Sequence, residues 1–431
     1  MTAIWILIAF LAALVLSVPL GVAMGIAGLI PSFIDPGVAG TIQFVARSTF
    51  GAVNSTVILA IPLFILSGAI MTHGGLAKRL FDIFALAVGK IPGGMPCAVI
   101  ITCLFYGAIS GSGAATSAAV GAMCIPILTE LGYDKEYSGS VVAAAGGLGI
   151  IIPPSVPFIM YSLVTSVSVP KLFIAGIIPG VLIALIMVIY TIIRFKTKKD
   201  ENKEMIDKMN RELKQRGVLR VLKDGFWAIM TPVIILGGIY SGIVTPTEAA
   251  CISVVYAIII CVFVYKTVNF RKLIEIFMTS VKTFAPIGIL LAFAMALMKV
   301  LTMLNIPADI GNFVASAFDN KILFLLLLNL VLLALGMVID VGPAILIIVP
   351  IILPVALSFG IDPVHLGVLT TVNLAIGLVS PPFGMTLFVT APLVQSTPVS
   401  IGKKAFPYII CLLFAIALIT YIPPLSLMLV S

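Results

Sequence analysis

Apolar residues fill the chain in runs of about 20, set apart by short polar or charged segments, and these runs recur from Ile4 onward. Each is long enough to cross a hydrocarbon core roughly 30 Å thick as a helix. Two stretches depart from the pattern. Gly93–Leu131 carries no charge between Lys90 and Glu130, and its middle, "GAISGSGAATSAAVG" (Gly107–Gly121), is glycine, small and hydroxyl-bearing. Ile322–Phe359 has the same design around "MVIDVGPA". Each predicts a hairpin of two apolar arms and a polar tip that enters and leaves on one side. A helix follows each hairpin, from Lys135 or Pro363, and runs into paired prolines in "GLGIIIPPS" (Gly147–Ser155) and "IGLVSPPFG" (Ile376–Gly384). Two prolines remove two amide donors and clash with the preceding turn, so both helices break there.

Sliding the chain against itself by 228 residues pairs Pro126 with Pro354, Gly132 with Gly360, Asp134 with Asp362, and Gly139 with Gly367. It also pairs Gly149 with Gly377, Pro153-Pro154 with Pro381-Pro382, and Pro170 with Pro398. Apolar sequence aligns by chance on Leu, Val and Ala, but not on its turn residues. The expected organisation is a first repeat at 1–195 (hairpin 93–131, broken helix 135–167), a charged connector at 196–225, and a linking span with the second repeat at 226–431 (hairpin 322–359, broken helix 363–396). The fold class is all-α: a polytopic membrane protein with about 11 transmembrane helices plus two re-entrant hairpins.

Composition agrees, with 61% hydrophobic and 10% charged residues, far from a soluble domain. The net charge of +8 gathers in one place: 11 of the 25 basic residues lie between Arg194 and Lys223, among Asp200, Glu201, Glu204, Asp207, Glu212 and Asp224. That segment reads as a cytoplasmic connector with an interfacial helix, facing anionic lipid headgroups; nucleic acid is not needed. Counting spans from it puts Lys78, Arg79, Lys90, Lys266, Arg271, Lys272, Lys282, Lys403 and Lys404 inside. The N-terminus is then inside and the C-terminus outside, with Asp35, Lys171, Asp309, Asp319 and Lys321 in outer connections. The two repeats thereby have opposite orientation, a mark of many secondary transporters.

A glycine-rich tip lets the backbone turn sharply and aim carbonyls inward, and Ser110 and Ser112 add hydroxyl oxygens. The break before Pro153 frees further carbonyls. Neutral oxygen cages suit a hard monovalent cation, sodium in particular, and half-helix N-termini suit a carboxylate. In the second copy Asp340 is the only charge between Lys321 and Asp362. It reads either as a cation or proton site or as the cap of the second hairpin arm. Serine and glycine also permit close helix packing. Ser155 and Ser380 either line a site or satisfy backbone freed by the prolines, and Asn373 either reaches a site or is a structural amide. Glu248 in "TPTEAA" reads as the acid in a helix first turn begun by Thr245. The six cysteines (Cys97, Cys103, Cys124, Cys251, Cys261, Cys411) read as small buried hydrophobes, and His73 and His365 lack metal-ligand spacing. No nucleotide loop, metalloprotease motif or nucleophile–base pair stands out, so an enzyme is disfavoured and no cofactor beyond a coupling ion is expected.

With these residues in view, the chain resembles the large membrane subunit of tripartite ATP-independent periplasmic (TRAP) transporters from end to end. The resemblance rests on "SGSGAATSAAVG", "IIPPS", "GIYSGIVTPTEAA", "GIDPVHLGV" and "NLAIGLVSPPFG". It implies an ion-transporter-superfamily fold: a scaffold plus a mobile transport domain of elevator type that carries both hairpins. It further implies sodium-driven uptake of an organic acid across the bacterial inner membrane, fed by a periplasmic binding protein. A small four-span subunit is expected as a separate chain. By motif, one sodium site would involve Ser110, Gly111, Ser112, Gly149 and Pro153, and the other Asp340, Gly342, Gly377, Ser380 and Pro381. Gly113, Ser155, Asn373, Gly384 and Thr386 would face the substrate, although Gly113 stands where relatives often have serine. The alternative is a self-sufficient sodium- or proton-coupled dicarboxylate carrier of the same superfamily.

The hairpin reading predicts buried tips. Single cysteines at Gly113 and Val341, in a cysteine-free background, should react slowly with bulky charged thiol reagents. Fast labelling of Gly113→Cys from outside, or of Val341→Cys from inside, under every condition would mean two full spans per hairpin.

Overall fold

The computed structural model describes residues 2–34, 42–198, 203–317 and 320–430; Asp35, Asp200, Glu201 and Asp319 lie outside them. Every regular element among the described residues is helical. The chain opens with α1 (Thr2–Val15), α2 (Leu20–Ile34), α3 (Ile42–Val53), α4 (Thr56–His73) and α5 (Leu76–Val88). The first hairpin is α6 (Gly94–Ser110) and α7 (Gly113–Glu130), followed by α8 (Lys135–Gly146), α9 (Leu148–Ile151), α10 (Val156–Thr165) and α11 (Val169–Lys198). Then come α12 (Lys203–Gln215), α13 (Val218–Tyr240), α14 (Pro246–Ile258) with a π-helical end at Ile259–Val264, α15 (Phe270–Met303) and α16 (Ile306–Ala317). The second hairpin is α17 (Lys321–Val338) and α18 (Val341–Ser358). It leads into α19 (Pro363–Gly377), α20 (Met385–Val394), α21 (Pro398–Tyr421) and the short α22 (Pro424–Leu427).

The helix bounds follow the 228-residue offset. α7 and α18 match at both ends, α6 and α17 end at matching residues, and α8 and α19 start at matching residues. The caps match too: Ser112 and Asp340 cap the second hairpin arms, and Asp134 and Asp362 cap the helices that follow. Gly132 (φ +90°) and Gly360 (φ +66°) make the left-handed turn between hairpin and broken helix, a conformation that costs a side-chain-bearing residue energy.

Among the described residues, eight helices are individually long and apolar enough to cross a membrane: α4, α7, α11, α14 with its π-helical end, α15, α17, α18 and α21. The α8–α10 unit, bent by 41° at its break, makes a ninth. That count includes the hairpin arms α7, α17 and α18, while α1, α2, α6, α19 and α20 are shorter apolar helices of 10–17 residues.

Two helices are enclosed almost throughout: α19, buried from Val364 to Gly377, and α8, buried from Tyr137 to Gly146 and packed by α6, α7, α20 and α21. At the start of α8 the Tyr137 hydroxyl lies 2.8 Å from that of Tyr408 (α21), which lies 2.9 Å from Thr191 (α11). Around this centre α4 joins α14 through the Ser67 and Ser253 hydroxyls, and α6 through Thr72 and Tyr106. The connector helix α12 turns Ile206 and Leu213 inward against the protein, where it packs on α5 and α13. One sequence expectation needs correction. Cys251 is exposed and Cys411 half-buried, unlike the other four cysteines, because a helix surface that faces lipid is as apolar as a core.

Glu248 is structural. Thr245 Oγ1 accepts from the Glu248 amide (3.3 Å) while the Thr245 amide donates to Glu248 Oε2 (2.8 Å), a reciprocal capping box that starts α14. Thr245→Ala should therefore cost about 1 kcal/mol of stability, seen as a lower thermal midpoint in detergent. Glu248→Gln, which keeps an acceptor oxygen, should cost less. Loss of uptake in Glu248→Gln at unchanged stability would instead assign this carboxylate to transport.

Candidate functional site

The first hairpin tip is held by its own polar groups. Ser112 caps α7, accepting from the Ala115 amide at 3.4 Å, and Ser110 Oγ lies 2.7 Å from Thr116 Oγ1 and 3.2 Å from the Ser112 carbonyl. The tip closes on the break of the other helix. The Val156 amide donates to Gly111 O (3.4 Å), and a Cβ at Gly111 would sit 2.9 Å from Pro154 O. At Gly149 a Cβ would sit 2.4 Å from Thr116 Oγ1 and 2.8 Å from Ser112 O. Only glycine lets α9 approach the tip so closely. Ser110, Gly111, Gly149, Pro153 and Thr116 are all buried, and Ser112 is half-buried. The structure thus brings together all five residues expected at the first site and adds Thr116. That residue shares a helix face with Ser112, four positions earlier, which is the signal a sequence reading could have used.

The second site has the same skeleton and a different setting. Asp340 caps α18, its Oδ1 accepting from the Val341 amide at 2.8 Å, so the capping reading holds. As a residue it keeps exposed surface while its carboxylate is partly buried, and Pro381, Pro382 and Phe383 at the break are exposed. Gly377 meets Gly336 of α17 backbone to backbone, just as Gly149 meets Gly107 of α6 in the first copy. Gly342 leans on Met160 of α10, and Gly113 on Leu378 beside the second break. Each tip therefore touches the broken helix of the other copy.

Several candidates are already engaged. Ser155 Oγ donates to Ile150 O (2.5 Å), Ser380 Oγ to Ile376 O (2.8 Å), and Thr386 Oγ1 to Leu378 O (2.7 Å). The Ser155 and Thr386 hydroxyls satisfy the Ile150 and Leu378 carbonyls, whose helical donors would have been Pro154 and Pro382, whereas Ile376 O also accepts from the Val379 amide (3.2 Å). Asn373, 1% exposed, donates through Nδ2 to Leu369 O and to Asn329 Oδ1, both at 2.8 Å, and Asn329 in turn donates to Thr420. That chain ties α17, α19 and α21 together. Gly384 is buried under the Leu378 and Ser380 carbonyls. Ser110 Oγ, Ser112 O and Thr116 Oγ1 converge without charge, bonded to one another and, at Ser112 O, to the Thr116 amide (3.0 Å). No group of three or more His, Cys, Asp or Glu suited to a metal occurs among the described residues.

Residues 7–425 match the family model described as "Tripartite ATP-independent periplasmic transporter, DctM component". The C4-dicarboxylate TRAP transporter large permease protein DctM of Pseudomonas aeruginosa is 38% identical over 90% of this chain and 89% of its own. The sialic acid TRAP transporter large permease protein SiaM of Vibrio cholerae is 34% identical, again over 90% and 89%. The isethionate TRAP transporter permease protein DctMQ of Oleidesulfovibrio alaskensis is 38% identical over 95% of this chain, which spans 63% of that longer protein. Among solved structures, the Alcanivorax borkumensis YdaH transporter superposes with a TM-score of 0.61 at 15% identity, covering 88% of this chain and 86% of its own. That likeness bears on the fold alone.

If the three converging oxygens hold a cation, Thr116→Val should raise the half-saturating sodium concentration about tenfold, the effect of losing one oxygen to a charged group. Thr116→Ser, which keeps the hydroxyl, should stay within twofold. Unchanged sodium affinity in Thr116→Val would move the cation elsewhere.

Proposed function

The chain belongs to the DctM family, the large permease component of tripartite ATP-independent periplasmic transporters, and from that premise we propose that it imports an organic acid by sodium symport. The observation that carries the reading is the buried, uncharged oxygen cluster of Ser110, Ser112 and Thr116 where the first tip closes on Gly149. A monovalent cation supplies the charge that such a cluster lacks. The permease lies in the bacterial inner membrane with its N-terminus inside and C-terminus outside, so that the basic connector faces the cytoplasm. The two hairpins and broken helices form a transport domain that shifts against a scaffold, and a periplasmic binding protein delivers the substrate.

Relatives are named for C4-dicarboxylates, sialic acid, 2,3-diketo-L-gulonate and isethionate. Those solutes share an anionic group and little else, which supports an organic acid as the class. The longer DctMQ relative supports a small membrane subunit as partner. A second reading, proton coupling through the exposed Asp340, rests on that carboxylate's place at the second tip.

The test is uptake into proteoliposomes holding this chain, its small subunit and the cognate binding protein, screened over organic acids. An inward sodium gradient should drive accumulation and potassium should not, without ATP. Uptake driven equally by potassium, or with no ion gradient, would end the sodium reading. Stimulation by an inward proton gradient in sodium-free medium, lost in Asp340→Asn, would establish the second one.

A further inference from the structure

Helix α4 lies outside both hairpins and both broken helices, packed on α14 and α15. One face of it nevertheless meets the first hairpin arm. A Cβ at Gly68 would sit 3.1 Å from Ser110 Cα and 3.5 Å from Ile109 O, so α4 approaches the last turn of α6 backbone to backbone. One turn away, Thr72 Oγ1 donates to Gly68 O (2.7 Å) and is bonded to the Tyr106 hydroxyl. A threonine hydroxyl has a single hydrogen, so Tyr106 is the donor across the gap. Gly68 and Thr72 are four residues apart, as are Tyr106 and Ser110, and they pair in antiparallel order. Both contacts therefore lie on one seam. Gly68, Tyr106 and Ser110 are buried and Thr72 is half-buried.

The seam belongs to the first copy alone. The 228-residue offset carries Tyr106 and Ser110 to Ala334 and Val338, both exposed and both without a polar side chain. It carries Gly68 and Thr72 to Ala296 and Val300, which are buried beside Val45 of α3. A contact needed only to fold the repeat would stand in both copies. This one stands only where the tip is closed. The tip's oxygens follow directly from it, since Ser110 ends α6 and its Oγ reaches Ser112 O (3.2 Å) and Thr116 Oγ1 (2.7 Å). The neighbouring Ser67 is turned elsewhere, to Ser253 of α14.

We propose that Gly68 and Thr72 are positioning residues. With Tyr106 they clamp the first hairpin tip against α4, and the tip loosens when Tyr106 lets go of Thr72. That the seam parts during transport rests on the moving-domain reading above; that it holds the tip does not.

The test is hydrogen–deuterium exchange on the purified full-length protein in neutral detergent, read by mass spectrometry on peptides covering residues 107–116. The buffer holds no sodium and no substrate, so this result and the sodium-uptake result stand or fall separately. Thr72→Val should speed exchange at the tip about fivefold, the effect of one lost hydrogen bond. Tyr106→Phe should do the same, and the double variant no more than either, because all three remove one bond. Thr72→Ser should keep the wild-type rate. Ser67→Ala also removes a buried hydroxyl contact from α4, but toward α14, and should lower Tm while leaving the tip's exchange unaltered. Should the hydroxyl variants fail to fold, Gly68→Ala puts a methyl against Ser110 Cα and should likewise speed exchange at the tip. Unchanged exchange there in Thr72→Val and Tyr106→Phe would overturn the proposal. An equal rise in Ser67→Ala would overturn it too, since α4 would then be loosened as a whole.

Discussion

Every amide and carbonyl at membrane depth must find a partner inside the protein, and two hairpin tips and two proline breaks make that demand acute. Side chains meet it. Ser112 and Asp340 cap the returning arms, while Ser155, Ser380 and Thr386 donate to carbonyls of residues 150, 376 and 378. Hydroxyls that a motif would assign to a ligand are thus largely occupied with backbone. Ligand-binding capacity is what remains after that accounting, and it remains chiefly around Ser110, Ser112 and Thr116. The breaks and the candidate site adjoin without being one feature: Ser110 Oγ, Ser112 O and Thr116 Oγ1 belong to the tip that closes on the first break, and none is a carbonyl that the prolines free.

Glycine contacts decide which parts behave as a unit. Gly107 meets Gly149, and Gly336 meets Gly377, each pair bringing a hairpin arm against the helix just before a break. A methyl at any of the four would collide with backbone, so tip and break are packed together in both copies. A site made within such a unit keeps its geometry if the unit moves as a body, whereas a site split between moving parts would come apart at each cycle. The cross-copy contacts, Gly342 on Met160 and Gly113 on Leu378, join the two units in turn.

The hairpins and breaks were legible because glycine and proline carry their geometry with them; the arms begin and end within a residue or two of the expected bounds. Thr116 was missed although its place four positions after Ser112 puts both on one face of the helix. Asn329 was missed for a different reason. It lies amid an apolar run and acquires meaning only through Asn373, 44 positions away on another helix. Cys251 shows the deeper limit: lipid-facing and buried positions are equally apolar in a membrane protein, so hydrophobicity cannot separate them. The connector's charge was plain in the sequence, but not that Ile206 and Leu213 are buried where α12 packs on α5 and α13.

The two sites share helix bounds yet differ at the residue that caps the returning arm, a hydroxyl at Ser112 and a carboxylate at Asp340. The hydroxyl tip is closed and the carboxylate tip is open. Physical cost explains the pairing. A neutral cap can be enclosed with its amide partner at little expense, but an ionised carboxylate loses several kcal/mol of hydration when buried unpaired. Asp340 has one amide bond at 2.8 Å to offset that loss, which is not enough. Drawing the second tip in as far as the first therefore requires a positive charge beside Asp340 or a proton on it. An ion that supplies this charge would lower the cost of closure without any further contact.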